Sequence, residues 1–144
     1  MTALPPDFTH LHAHSHYSLL GGIGAPEELA ARARADGLRA LALTDSNALF
    51  GAVAFARACR AEGIRPITGM TVSVAPPPGE MAPDTGNPLG CLVLLAAGPP
   101  GYRSLCRLSS LYQSDPDRGR RARGGFSWDE LRDNTAGLIA LSGG

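Results

Sequence analysis

Short apolar segments alternate with longer helix-like segments along this chain of 144 residues. Segments such as RALALT, CLVLLA and GLIALS have the length and the apolar content of buried strands. The predicted strands are residues 8–14, 39–44, 65–74 (one bent strand or a strand pair), 91–96 and 137–142. Strands that alternate with helices predict βαβ units, so we expect an α/β fold with a mainly parallel sheet.

Proline, glycine and capping residues mark the ends of the predicted helices. Proline and acidic residues suit the first turn of a helix, and glycine commonly follows the last turn. The first predicted helix begins at Pro26, with Gly37 as its stop signal, and the second runs from about Leu49 to Glu62, before Gly63. Further helices are predicted from Pro100 onward and from a capping box formed by Ser127 and Glu130. About four or five strand–helix units are too few for an eight-stranded barrel. The abrupt end after the last predicted strand indicates a fragment, or the reduced form of a longer protein.

Two segments have the composition of loops. Residues 75–90 are rich in Pro and Gly, and residues 115–125 (DPDRGRRARGG) are polar and basic. The arginines of the second segment, which could contact DNA phosphates, are Arg118, Arg120, Arg121 and Arg123. This segment has no aromatic residue to stack on a base, so an exposed, solvated loop is the simpler interpretation.

Composition excludes several classes of function. The chain has 13 basic and 13 acidic residues, so no general basic field indicates a nucleic-acid partner. No apolar run is long enough to span a membrane, and MTALPPDF lacks the features of a signal peptide. We therefore expect a cytoplasmic protein without a membrane partner. Cys59, Cys91 and Cys106 are widely spaced and form no C-x-x-C pair, which favours buried structural thiols.

All 4 histidines of the chain lie within residues 8–17 (FTHLHAHSHY), at every second position. Residues two apart on a strand point to the same side, so His10, His12 and His14 are predicted to line one face. An H-x-H pair near the C-terminal end of a strand can share a metal ion. The alternative is a polar strand end whose histidines are satisfied by hydrogen bonds. The spacing alone leaves both interpretations open.

The blocks HLHAHSHYSLLGG, ALALTDSNALFGAVAFARAC, GIRPITGM, CLVLLAAGPPGYRSLCRLSSL and GLIALSGG occur in this order. Together they resemble the N-terminal PHP domain (polymerase and histidinol phosphatase) of bacterial C-family DNA polymerases. The resemblance implies that residues 1–144 are the N-terminal portion of a PHP domain that continues beyond this chain. It implies a partial or truncated distorted (β/α)7 barrel. Active members of the family bind up to three metal ions and hydrolyse phosphoesters, since a metal cluster generates hydroxide and clamps the oxygens around phosphorus.

The resemblance also identifies candidate metal ligands. His12 and His14 match the H-x-H of the family and are the strongest candidates. The weaker candidates are His10, at a position that is often histidine, Asp45, in the family's T-D-H motif, and Cys91, where a histidine is common.

Other ligand positions carry residues that bind metals poorly. Gly21 replaces an aspartate, Ser46 replaces the histidine of T-D-H, and Thr71 replaces a bridging glutamate. Divalent ions held close together need carboxylates to offset their repulsion, so a multinuclear cluster is not expected. Zinc or manganese is the ion expected at such a degenerate site. A mononuclear zinc site built from the H-x-H pair and Cys91 is the remaining option.

These matches give one leading interpretation and two alternatives. We expect the PHP segment of a bacterial DNA polymerase III alpha-type protein, replicative or error-prone, with a structural role. Its expected partners are other domains of the polymerase chain and replication subunits, and no catalytic residue is assigned to the segment. A stand-alone PHP phosphoesterase, histidinol-phosphatase-like or a 3′–5′ exonuclease, is the first alternative. An interaction module without activity is the second.

Overall fold

The structure is a computed structural model and describes residues 8–76, 79 and 90–142. The elements are, in chain order, α1 (Pro26–Ala35), β1 (Ala40–Leu43), α2 (Ala52–Ala61), β2 (Arg65–Val74), β3 (Gly90–Ala96), α3 (Pro99–Gln113), α4 (Arg118–Gly124), α5 (Trp128–Arg132) and β4 (Leu138–Ser142). Most of the loop predicted over residues 75–90 lies outside the described residues. The helices begin and end within a few residues of the positions that proline, glycine and the capping box predict.

The strands form one mixed sheet in the order β1-β2-β3-β4. β1 and β2 are parallel, with Ala40 opposite Arg65, whereas the β2–β3 and β3–β4 pairs are antiparallel. The α/β class is confirmed, but the prediction of a mainly parallel sheet is wrong. β2 is a single strand of 10 residues and not a strand pair.

The connections between the strands explain the antiparallel pairs. A parallel pair needs a crossover, usually a helix, and the Pro- and Gly-rich sequence between β2 and β3 does not favour one. Between β3 and β4 the chain passes through α3, α4 and α5 and returns to the place where β3 ends. There the Ala97 amide donates to the Gly137 carbonyl at 2.9 Å. β4 therefore starts beside the end of β3 and runs back along it.

The histidine segment, residues 8–17, lies along one edge of β1 without forming a strand. The amides of Ala42 and Thr44 donate to the carbonyls of His10 and Ala13, at 2.9 and 2.8 Å. The acceptors are three residues apart and the donors only two, so this pairing cannot continue as a regular ladder. The predicted strand over residues 8–14 is therefore wrong, although the segment does lie beside the sheet.

Two apolar clusters form the core. The first packs α1 and α2 against β1, around Phe55 and Cys59. The second packs α3 and α5 against β2 and β3, around Met70, Leu105 and Phe126. Helices α1, α2, α3 and α5 thus bury apolar side chains against the sheet, which is the usual basis of a layered α/β domain. No helix of the described residues is long and apolar enough to cross a membrane.

Burial is lower than predicted at the outer part of the sheet. Cys59 is buried, but Cys91 is exposed at the start of β3 and Cys106 is half-buried, so the prediction of three buried thiols is wrong. β4 is also more exposed than a core strand, and Ile139 on it is exposed. Among the described strands, only β3 pairs with β4, which explains this exposure.

The basic segment of residues 115–125 contains a helix, so the prediction of an exposed loop is wrong. Asp117 caps α4, because its side chain accepts the Arg120 amide at 2.8 Å. Arg121 is buried and donates to both carboxylate oxygens of Glu130, at 2.9 and 2.7 Å. Three of the four arginines in this segment have partners within the chain, so little of it remains available for the predicted DNA contact.

The stability of this helical region is expected to decrease in acid. The hydrogen bond from Arg121 lowers the pKa of Glu130 from 4.5 to about 2. Because the pKa is lower in the folded chain than in the unfolded chain, the stabilisation is complete above pH 4.5 and is lost as the pH falls toward about 2. Urea denaturation should show that the free energy of unfolding falls more between about pH 6 and about pH 3 in the wild type than in Glu130→Gln. Equal losses in the two proteins would contradict this assignment.

Candidate metal centre

The structure brings His12 and His14 together at the end of β1. Their Nε2 atoms are 2.8 Å apart, and their ring centroids are separated by 4.8 Å with the planes inclined at 63°. His12 is exposed and His14 is half-buried. The edge of the sheet therefore holds two imidazole nitrogens at one point, as the H-x-H spacing predicts.

A network of hydrogen bonds defines the tautomer of His14. The Ser18 hydroxyl donates its single hydrogen to Asp45 Oδ1 at 2.7 Å, so its oxygen accepts from His14 Nδ1 at 2.9 Å. The hydrogen of His14 therefore lies on Nδ1, and Nε2 carries the lone pair that faces His12. Burial lowers the pKa of His14, the charge of His12 lowers it further, and Asp45 opposes the shift. The neutral imidazole that results is the form that binds metals.

His12 carries its proton on the nitrogen that faces this lone pair. The Thr71 hydroxyl donates to the Thr44 carbonyl at 2.9 Å, so its oxygen can only accept from His12 Nε2, at 3.3 Å. His12 Nε2–H is thus shared between His14 Nε2 and Thr71 Oγ1. The three groups form a closed hydrogen-bonded cluster without a metal ion.

Asp45 is buried and its carboxylate is occupied by hydrogen bonds. Its oxygens accept from the Ser15 amide at 2.7 Å, from the Ser15 hydroxyl at 2.8 Å and from the Ser18 hydroxyl at 2.7 Å. Because Ser15 belongs to the histidine segment, Ser18 directly follows it and Asp45 lies two residues after β1, these bonds fix that segment to the sheet. Asp45 therefore positions His14 through Ser18.

The turn that follows the histidines presents apolar side chains to solvent. Its backbone is held by hydrogen bonds from the His16 amide to the Gly24 carbonyl and from the Gly21 amide to the Ser18 carbonyl, at 2.9 and 2.8 Å. The side chains of Leu19, Leu20 and Ile23 are 90%, 100% and 99% exposed. A fixed turn that exposes three large apolar residues is an unusual surface for a soluble domain.

The remaining sequence-predicted residues lie around this pair without joining it. His10 stacks edge-on against Phe8, with ring centroids 4.7 Å apart. Cys91 pairs with Ser73, two positions along β3 from the partner of Thr71, which corresponds to about 7 Å. Within the part of the chain that the structure describes, no three His, Cys, Asp or Glu side chains form a group that could hold a metal ion.

The positions of the lost ligands still converge on the pair. Ser46 and Thr71 form an isolated bridge between the end of β1 and β2, and the Ser46 amide donates to Ser18 Oγ at 3.0 Å. Gly21 lies in the exposed turn. The backbone therefore retains the arrangement of a site whose ligand-bearing side chains are absent. Sequence reasoning missed Ser15 and Ser18, and the only signal for them was their position next to the histidines.

The donor set does not fit a multinuclear metal site. Two imidazole nitrogens that bind one zinc ion at about 2.0–2.1 Å in tetrahedral geometry lie roughly 3.3 Å apart, so the pair would have to open by about half an ångström. The third neighbour, Thr71 Oγ1, is a neutral oxygen, and no carboxylate faces the pair among the described residues. One weakly held ion, completed by water, is the most that these residues fit.

Residues 10–144 match the family model of the PHP domain, and the chain belongs to this family. It is 40% identical over 137 residues to the DNA polymerase III subunit alpha of Bacillus subtilis, and 43% identical over 137 residues to that of Treponema pallidum. It is 41% identical over 114 residues to the error-prone DNA polymerase of Mycolicibacterium paratuberculosis. These alignments cover 95%, 94% and 78% of this chain, but only 11%, 12% and 10% of the relatives. The chain is thus a PHP segment homologous to the N-terminal domains of these polymerases.

Solved structures give the same fold. An amidohydrolase from Chromobacterium violaceum, with bound sulfate and no metal, superposes with a TM-score of 0.56 at 30% identity, over 78% of this chain and 36% of that one. A candidate metal-dependent phosphoesterase from Bifidobacterium adolescentis superposes with a TM-score of 0.53 over 90% of this chain and 44% of that one. At 16% identity, the second likeness concerns the fold alone.

Proposed function

We propose that this chain is the PHP segment of a DNA polymerase III alpha-type protein, replicative or error-prone, and that its role there is structural. The observation that carries the structural role is the donor set at the histidine pair. Asp45 is taken up by three hydrogen bonds, and Thr71 offers only a neutral oxygen. A phosphoesterase of this family needs several ions with bridging carboxylates, and these side chains do not supply them.

The polymerase assignment rests on the relatives. Identities of 40% and 43% over 137 residues favour the polymerase segment over a stand-alone phosphoesterase. In such a protein the segment would act in the cytoplasm and contact other domains of the polymerase chain. The exposed apolar turn of Leu19, Leu20 and Ile23 supports contacts of this kind, because such side chains gain most from burial against another surface. Contacts with separate replication subunits are part of the same proposal.

The proposal includes the domain organisation and the barrel. Residues 1–144 would form the N-terminal portion of a PHP domain, and the four strands would be part of its distorted (β/α)7 barrel. The share of each solved structure that the chain covers, 36% and 44%, supports this interpretation. Determining the gene sequence beyond codon 144 tests it. A polymerase palm domain in the same reading frame is the expected result, and a stop codon at that place would overturn the polymerase assignment.

At the histidine pair we propose at most one zinc or manganese ion, held by His12 and His14. Such an ion would polarise a bound water, and the role of this chain's own residues would be to hold both imidazoles in place and to lower the pKa of His14 through burial. Cys91, Asp45 and His10 are weaker candidates, and only Asp45 connects to the pair, through Ser18.

Metal analysis of the purified chain should give no more than one equivalent of zinc or manganese. His12→Ala and His14→Ala are expected to remove it, because each takes away one of the two strong donors. His16→Ala is the matched control, since this exposed histidine stacks on Tyr17 and does not reach the pair. The measurement is mass spectrometry of bound metal after dialysis, together with hydrolysis of bis-p-nitrophenyl phosphate. Two or more ions per chain, lost in the histidine variants and accompanied by turnover, would overturn the structural role.

A further inference from the structure

Three arginines gather around two adjoining cavities at the side of the sheet, and none of them has an ion-pair partner among the described residues. One cavity, of about 580 Å³, lies against Arg65, Pro99 and Tyr102. The other, of about 430 Å³, lies against Arg57, Arg60 and Tyr102. Thr68 and Tyr102 line both cavities, so they form one continuous depression, which we call the arginine cleft.

Within the described part of the chain, the arginines of the cleft have no acidic partner. No acidic residue lines either cavity, and the side chains of Arg57, Arg60 and Arg65 have no hydrogen bond or ion pair to any residue that the structure describes. Arg57 and Arg60 are three residues apart on one face of α2, where like charges repel and destabilise the helix. Other arginines of the chain do pair with acids, as Arg32 does with Asp36 at 2.8 Å and Arg132 with Asp129 at 2.7 Å. An unpaired cluster beside a cavity is therefore suited to an anionic ligand.

Tyr102 supplies an accessible aromatic ring in the same place. Its side chain is 42% exposed at the start of α3, where the positive end of the helix dipole adds to the potential of the arginines. The nearby Cys106 thiol and, to a lesser degree, burial raise the pKa of Tyr102, so the phenol is uncharged at neutral pH. The cleft thus combines cationic groups with a neutral stacking surface.

We propose that the arginine cleft binds single-stranded nucleic acid, with phosphates on Arg57, Arg60 and Arg65 and a base stacked on Tyr102. Cavities of this size fall within the range of about 300–1,000 Å³ that holds small ligands, which is enough for a nucleotide in each. A stacked base requires an unpaired strand, which favours single-stranded over duplex DNA. An acidic protein segment would use the arginines but would gain little from the ring.

The arginine cleft is separate from the histidine pair. It lies against the first half of β2, near Arg65, whereas the pair contacts Thr71 in the second half. Six residues of a strand correspond to about 20 Å, so Arg65 and the imidazoles lie at opposite ends of β2. The cleft and the pair have no residue in common.

Fluorescence anisotropy with a labelled dT12 oligonucleotide tests the proposal on the whole chain. We expect dissociation constants of about 1–100 µM, and binding that weakens as salt is raised. Arg57→Gln combined with Arg60→Gln should weaken binding about ten-fold and reduce the log–log salt slope by about 1.4. The matched control is Arg32→Gln combined with Arg34→Gln, which removes the same charge from exposed positions of α1 outside the cleft. This control should change the affinity less than about two-fold.

A second set of variants tests stacking. Tyr102→Ala should weaken dT12 binding about ten-fold without changing the salt slope, and Tyr102→Phe should restore it. The proposal would be overturned if the double variant of the cleft and the control double variant lost the same affinity for dT12. An unchanged affinity in Tyr102→Ala would also overturn it. It would also be overturned if a twelve-residue glutamate peptide displaced dT12 as effectively as unlabelled dT12. Circular dichroism establishes that each variant is folded. Failure of dT12 binding would leave the polymerase assignment intact, because that assignment rests on the relatives.

Discussion

Replacing Arg121 by leucine is expected to lower the free energy of unfolding by about 3 kcal/mol, because one member of a buried ionic network is removed. Arg121 makes a bidentate contact with Glu130 and also donates from Nε to Asp115 at 3.2 Å and from Nη1 to the Gly125 carbonyl at 3.0 Å. Its guanidinium lies 5.3 Å from the centre of the Phe126 ring. Leucine retains the apolar packing but leaves the buried Asp115 without its buried partner.

The control for this prediction is Arg120→Leu. Arg120 contacts the same Asp115 oxygen at 2.7 Å, but its side chain is 66% exposed, compared with 7% for Arg121. Exposed ion pairs contribute little, so this change should cost less than about 1 kcal/mol. Urea denaturation followed by circular dichroism measures both variants. Similar decreases in the free energy of unfolding for Arg120→Leu and Arg121→Leu would show that burial does not determine how much each ion pair with Asp115 stabilises the fold.

Replacing Asp45 by asparagine is expected to cost about 3 kcal/mol as well, since an amide cannot accept all three hydrogen bonds. Asparagine has one acceptor oxygen, so its NH₂ group would face a hydroxyl or the amide of Ser15 in a buried place. The Ser18 hydroxyl would then be free to turn toward His14. We therefore expect the histidine segment to loosen, beyond the loss of stability.

Two measurements separate these effects. Urea denaturation gives the free energy of unfolding, and Asp36→Asn is its control, because the ion pair of Asp36 with the exposed Arg32 should contribute less than about 1 kcal/mol. NMR of the imidazole of His14 reports the hydrogen on Nδ1, which should exchange slowly in the wild type and rapidly in Asp45→Asn. A variant as stable as the wild type, with the Nδ1 signal unchanged, would refute the role assigned to Asp45.

Local signals in the sequence predicted the helices well, because their ends depend on nearby residues. Pro26 begins α1, and Ser127 and Glu130 form the expected capping box at α5. Strand direction was not predictable in the same way, since it depends on where the chain returns after a long connection. The contact between Ala97 and Gly137, which makes β4 antiparallel, joins residues that no local pattern relates.

In the candidate site too, local sequence predicted some features, whereas others depend on contacts between distant residues. The H-x-H spacing predicted that His12 and His14 meet, although they do so outside a regular strand. The residues that determine which ring nitrogen carries the hydrogen are distant in the sequence. They are Thr71 on β2 and Asp45, which acts through Ser18. Helix α4 was missed because its sequence reads as polar and basic. Only the tertiary structure shows that Arg121 points inward to Glu130.

The buried position of Asp45 has an evolutionary consequence. A carboxylate that holds a loop to the sheet contributes to stability whether or not the protein uses a metal ion. Gly21 and Ser46 are exposed, so substitutions at these positions can drift once catalysis is no longer selected. Survival of the aspartate in a T-D-S motif is therefore not a record of enzymatic activity. Whether such a chain can hold a metal cluster is decided at the other ligand positions, here Gly21, Ser46 and Thr71.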